Sequence, residues 1–174
     1  MTERAIPRMK LFMVLLGGTH ARARTEVHDI AFAVGHDLDD IEPQLVAQWF
    51  GERKGLHIDA WMAIDGVDGF KVVVGDEPPT VQKSRLYFLH LGGYDPTRFG
   101  EEHAFELVVA TSVAKAKRVG KTRRPHDWAK PHTDALHDVD ACLEIARVGS
   151  AYITLVAGAH AAPVFANTYK VIAF

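Results

Sequence analysis

Leu11-Phe12-Met13-Val14-Leu15-Leu16-Gly17-Gly18 returns as Leu86-Tyr87-Phe88-Leu89-His90-Leu91-Gly92-Gly93. Two further matches keep the same offset of 75: Glu26-Val27-His28 with Glu101-Glu102-His103, and His57-Ile58-Asp59-Ala60 with His132-Thr133-Asp134-Ala135. Three ungapped matches at one offset mark a duplicated module. The period is too long for a solenoid unit, which normally runs about 20–50 residues. The expectation is one pseudo-twofold domain.

Each copy reads as strand–strand–helix–strand–strand. Lys10–Leu16 is a short apolar run ended by Gly-Gly, which suggests a strand buried on both faces and then a turn at φ > 0. In Glu26–Val34, alternation places Glu26, His28, Ile30, Phe32 and Val34 on one face. Asp37–Phe50 has Leu38, Ile41, Leu45 and Trp49 at helical spacing, with Gly51 as the stop and Pro43 required in the first turn. His57–Ile64 and Phe70–Val74 form a hairpin framed by Gly66 and Gly69. The second copy repeats this order: strands from 85 and 101, a helix from about Ser112, and strands near 132–139 and 151–156. About seven extra residues are expected around Leu143–Val148. The predicted boundaries are 9–75 for the first repeat, 76–84 for a Pro-containing linker, 85–156 for the second repeat and 157–174 for a C-terminal strand or tail. The fold class is α+β, with mostly antiparallel sheets and helices on one side.

The chain has 174 residues, 48% hydrophobic and 24% charged, with a formal net charge of −2. This composition is that of a globular protein. It supplies no global attraction to nucleic acid or an anionic membrane surface. The single cysteine, Cys142, excludes an intramolecular disulfide and a Cys-based zinc site, which fits a reducing, cytoplasmic location. Arg4, Arg8 and Lys10 before an apolar run imitate a signal peptide, but the run recurs inside the chain, so it reads as a core strand. No apolar run approaches the length of a membrane span.

The recurring polar residues are the candidate site. Glu26 and His28 share the core-facing side of their strand, as do Glu101 and His103. His57/Asp59 and His132/Asp134 repeat the i, i+2 geometry. A carboxylate on a core face must be paired, hydrogen-bonded or wet. These sets are read first as hydrogen-bonded staples of strand ends. They also offer mixed N/O donors to a divalent metal, or groups for acid–base chemistry. No resident cofactor is expected.

A basic segment distinguishes the second copy: Lys115, Lys117, Arg118, Lys121, Arg123, Arg124 and Lys130, near His126 and Trp128. It reads as a solvated helix face, with nucleic-acid binding as the sharper alternative. The two Gly-Gly pairs are not phosphate loops, because a strand pattern rather than a helix follows them. No G-x-S-x-G elbow supports a serine nucleophile, and Cys142 has no evident base beside it.

As a set, Leu16-Gly17-Gly18, Glu26-x-His28-Asp29, Trp49-Phe50-Gly51, His57-Ile58-Asp59-Ala60-Trp61 and Asp65-Gly66-Val67-Asp68-Gly69-Phe70 resemble the domain-of-unknown-function family numbered 1543. Leu91-Gly92-Gly93-Tyr94-Asp95-Pro96 and Phe99-Gly100-Glu101-x-His103 extend the likeness over residues 10–156. The resemblance implies a small bacterial protein with one or two copies of the module, and implies no activity. The second copy departs from the first where Asp29 becomes Ala104 and Trp61 becomes Leu136.

The functional expectation is a non-enzymatic module that binds a small molecule or a protein partner, as a homodimer, with its site where the units meet. The alternatives are a metal-dependent hydrolase using the repeated Glu, His and Asp residues, and nucleic-acid binding through residues 115–130.

Overall fold

A computed structural model describes residues 8–125, 128, 139 and 141–173. The first half contains β1 (Lys10–Gly18), β2 (Val27–Gly35), α1 (Leu38–Gln48), β3 (His57–Ile64), β4 (Gly66–Val67) and β5 (Phe70–Gly75). The second runs in the same order: β6 (Arg85–Gly93), β7 (Glu102–Ala110), α2 (Val113–Arg123), β8 (Ala141–Glu144), β9 (Arg147–Val148) and β10 (Ala151–Ala157). A final strand, β11 (Val164–Val171), pairs with β3. The fold is α+β, and among the described residues every strand pairing is antiparallel.

Three sheets follow from these pairings. Sheet A has the order β11-β3-β1-β2, and sheet C the order β7-β6-β8. Sheet B, β4-β5-β10-β9, joins the last strand of each half along six paired positions, from Tyr152 opposite Gly75 to Ala157 opposite Phe70.

Alternation divides the core. Phe12, Val14 and Leu16 point to one face of sheet A, where Ile41, Leu45 and Trp49 of α1 cover them. Tyr87, Leu89 and Leu91 do the same in sheet C beneath α2. Leu11, Val34 and Ile64 point the other way and join Leu86, Phe88 and Ile153 in a cluster between the halves, where Phe32 meets Phe88 edge-on at 5.5 Å. Fully burying one such side chain is worth about 1.5–3 kcal/mol.

Local details depart from the sequence reading. Both Gly-Gly pairs lie inside strands and none of the four has a positive φ. Their lack of side chains serves close packing: a Cβ on Gly18 would sit 2.9 Å from Trp49, and one on Gly93 2.0 Å from Trp128. Helix α1 ends at Trp49 in extended geometry rather than at a left-handed Gly51, and Pro43 falls beyond the first turn. The extra residues of the second half are not in its hairpin. Gly66–Val67 corresponds to Arg147–Val148 and Phe70 to Ala151, both offset by 81, so the six-residue surplus precedes β8.

Candidate functional site

Gly17 is the centre of the site. It lies opposite His28 across one side of β1 and opposite His57 across the other. Its neighbours Leu16 and Ile58 face α1, so Gly17, His28 and His57 face away from it. The β1–β3 register slips here. Leu16 faces Ile58 and Leu15 faces Ala60, which leaves Asp59 as the extra residue of a β-bulge. A bulge re-aims its side chain, and Asp59 joins the histidines. Glu26 enters from the residue before β2.

The four side chains form a compact quartet. His57 Nε2 lies 3.0 Å from Glu26 Oε1 and 3.3 Å from Asp59 Oδ1. His28 Nε2 lies 3.2 Å from Asp59 Oδ2 and 3.7 Å from Glu26 Oε2. His57 is 2% exposed, and its other nitrogen, Nδ1, lies 2.8 Å from the Gly55 carbonyl oxygen. A carbonyl only accepts, so Nδ1 carries the proton. His57 Nε2 and Asp59 Oδ2 are shut off from solvent and neither has a hydrogen-bond partner. Leaving such a group unsatisfied costs about 1–3 kcal/mol. A Cβ on Gly17 would come within 2.4 Å of Asp59 Oδ2 and 2.6 Å of His57 Nε2, so glycine makes the room. The Tyr169 ring of β11 lies against His57, centroid to centroid 4.4 Å. Among the described residues, no group of three or more His, Cys, Asp or Glu side chains is placed, as it stands, to hold a metal ion.

The second half is arranged differently. His103 Nδ1 is 2.8 Å from His90 Nε2, a partner outside the repeated set. Glu101 is exposed, while the adjacent Glu102 accepts from Trp128 Nε1 at 3.1 Å and pairs with Arg98. His132 and Asp134 lie outside the described residues. Strand β8 puts Ala141 against His90 where β3 puts Ala60 against Leu15, again an offset of 81. The strand pairing therefore does not follow the offset of 75 that matches His57 with His132.

The basic segment is mostly a solvated face of α2. Lys115, Lys117, Arg118 and Lys121 are exposed, while Ala116 and Gly120 face the sheet. Arg123 is engaged: it donates to Asp68 Oδ1 at 2.6 Å and to the Leu107 carbonyl at 3.1 Å. Arg124 is half-buried, and Lys130 lies outside the described residues. Burial pushes the Cys142 thiol up, so it gains no thiolate character.

A separate cleft of about 720 Å³ opens on the α1 side of sheet A. Its walls are Phe12, Leu38, Trp61 and Val164, with Arg8 and Lys10 also lining it. Arg8 Nη2 donates to the Val72 carbonyl at 2.7 Å. Trp61, which the second copy replaces, meets Phe12 here at 6.3 Å. Asp29 is exposed and accepts from the Ile30 amide. Tyr169 and His90 carried no sequence signal, since neither belongs to a repeated polar pair.

The architecture and the site define an α+β protein with two similarly ordered units and a histidine–carboxylate quartet in the first. Comparison with protein families places residues 23–74 in Domain of Unknown Function (DUF1543). A solved structure, that of the protein Il1583 from Idiomarina loihiensis, matches with a TM-score of 0.71 at 32% sequence identity. The match covers 93% of this chain and 96% of that one. The chain belongs to the DUF1543 family. Comparison with curated proteins gives no match. Among the described residues no helix is long and apolar enough to cross a membrane.

Proposed function

We propose that the protein is a small-ligand-binding module and that the cleft beside Trp61 receives the ligand. The volume of about 720 Å³ carries this reading, since ligand sites generally fall between about 300 and 1,000 Å³ with mostly apolar walls. Phe12, Trp61, Leu38 and Val164 suit a flat or branched apolar body. The polar lining selects the charge. Lys170 is neutralised by Asp39 and Glu42, Asp37 caps α1, and Asp65 accepts from the Ala161 amide. Arg8 and Lys10 have no carboxylate partner among the described residues. Asp37 and Asp65 keep their charge but are turned to backbone amides, so the ligand class we assign, from Arg8 and Lys10, is a small organic acid with an apolar body.

Ligand-detected NMR with aromatic and branched-chain carboxylates, each beside its neutral amide, tests this. Acids are expected to bind and amides to bind several-fold more weakly, with Trp61→Ala abolishing both. No binding by any acid at millimolar concentration, or equal binding in Trp61→Ala, would remove the cleft from consideration. The homodimer is retained in the proposal because Val164, Phe165 and Tyr169 are exposed along β11. Sedimentation velocity that gives a monomer at all concentrations would withdraw it.

A further inference from the structure

The quartet has an unresolved electrostatic problem. His57 donates its Nδ1 proton to Gly55 and presents Nε2 to two carboxylates, at 3.0 Å and 3.3 Å. If Nε2 is bare, its lone pair faces negative oxygens. If it is protonated, its N–H should lie on line with one of them. Neither contact has hydrogen-bond geometry, and Asp59 Oδ2, 3.2 Å from His28 Nε2, is left in the same state. A positive centre placed between the four groups, rather than along any one N–O line, would give the two orphaned atoms, His57 Nε2 and Asp59 Oδ2, a partner.

The geometry points to a divalent transition-metal site formed by Glu26, His28, His57 and Asp59. Zinc–nitrogen and zinc–oxygen bonds of about 2.0–2.2 Å in a tetrahedron separate the donor atoms by about 3.3 Å. The nitrogen–oxygen separations are of that size. His57 Nε2 lies 3.0 and 3.3 Å from one oxygen of Glu26 and of Asp59, and His28 Nε2 lies 3.7 and 3.2 Å from the other oxygen of each, so a tetrahedral ion would draw on one oxygen per carboxylate. Two imidazoles with two carboxylates suit Zn²⁺ and its first-row neighbours, whereas Ca²⁺ and Mg²⁺ take six or more ligands, nearly all oxygen.

Three features show that the site is built. The Nδ1 bond to Gly55 fixes the His57 ring and its tautomer, the role of an outer hydrogen bond at a metal-ligating histidine. The Asp59 bulge turns a carboxylate onto the histidine face. The bare Gly17 leaves room for the donor atoms. As they stand the four side chains are not placed to hold an ion, so binding requires side-chain movement. Glu26 and His28 side chains are 48% and 47% exposed, so they are free to close on the fixed His57–Asp59 pair. In the second half His103 Nδ1 is engaged with His90 instead, and the described residues assemble no second quartet. The site uses none of the residues of the cleft.

The test uses the full chain after chelator treatment. Calorimetric titration with Zn²⁺ should give one ion per chain at micromolar affinity or better, with no comparable heat from Ca²⁺ or Mg²⁺. Co²⁺ should give the visible absorption of a tetrahedral centre. His28→Ala and Glu26→Gln alter half-exposed side chains and should each weaken Zn²⁺ by more than the roughly 10–100-fold that loss of an outer-shell partner costs, and abolish the cobalt spectrum. His20→Ala, outside the quartet, should change neither. Circular dichroism checks that each variant is folded. Absence of Zn²⁺ binding by the parent, or unchanged stoichiometry and affinity in folded His28→Ala and Glu26→Gln, would overturn the assignment.

Discussion

At Gly17 a single methyl group decides the outcome. Its backbone is ordinary strand, so alanine there would normally stabilise by reducing the freedom of the unfolded chain. The methyl would instead meet Asp59 Oδ2 at 2.4 Å and His57 Nε2 at 2.6 Å. Gly17→Ala is expected to cost at least about 1 kcal/mol by denaturant titration, as overpacking does. Gly75→Ala, with nothing within 4 Å of the added atom, should be neutral or gain about 0.4–1 kcal/mol. Equal effects at the two positions would refute this account. The sequence foretold part of the site. Alternation puts Glu26 and His28 in step with Ile30 and Phe32 on a core-facing side; Ile30 and Phe32 pack on the core, whereas Glu26 and His28, at the strand's start, are about half exposed. It could not foretell the bulge, because an extra residue in one strand becomes visible only against its partner. Nor could it foretell Tyr169, whose approach to His57 depends on β11 crossing back from the far end of the chain.

Among the elements, α1 is held by its cap. Asp37 Oδ1 accepts from the Asp39 and Asp40 amides, each at 3.0 Å. Asp37→Ala should cost about 0.5–2 kcal/mol in equilibrium unfolding. The smaller effect is expected at Ser112→Ala, where α2 is capped by one bond of 3.3 Å. A larger loss at Ser112 would contradict the comparison. Strand β7 supplies a pH-dependent test. Burial, aided by Asp68 and opposed by Arg123, raises the Glu106 carboxyl above its ordinary value. A carboxyl raised in the folded state binds its proton more tightly there than in the unfolded chain. The fold therefore loses stability as pH rises from the ordinary carboxyl value through the raised one. Glu106→Gln does not ionise, so its melting temperature relative to the parent should climb across that window; a constant difference would exclude the effect. Most element types and their order were legible from periodicity, and both helix starts from Asp37 and Ser112; the strand expected near 132–139 falls almost wholly outside the described residues, and the strand that pairs with β6 is β8, Ala141–Glu144. The second hairpin was hidden because Leu143–Val148 has little composition in common with Met62–Val67. Its pairing with β10 nevertheless gives the same two-residue turn that joins β4 to β5.

For the whole molecule, the halves are joined by sheet B, by the shared apolar cluster and by a polar tie at Asp68. Asp68, at φ 51°, accepts from the Val109 amide at 2.9 Å and from Arg123 at 2.6 Å. With β5 paired to β10 and Leu11, Val34 and Leu86 in one cluster, neither half has a complete core alone. Thermal unfolding should show one transition, coincident in far- and near-ultraviolet circular dichroism. Two resolved transitions would show that the halves are independent. The repeat pointed to such an arrangement, but which strands are shared was hidden, because strand order depends on contacts between distant segments. The quartet, by contrast, comes entirely from residues 17–59, within the first half and around the central strand β1. Its loops are short to close, and contacts of low sequence separation form quickly. During refolding the quartet can therefore come together before sheet B joins the halves, which makes it a kinetic marker of how far the chain has progressed.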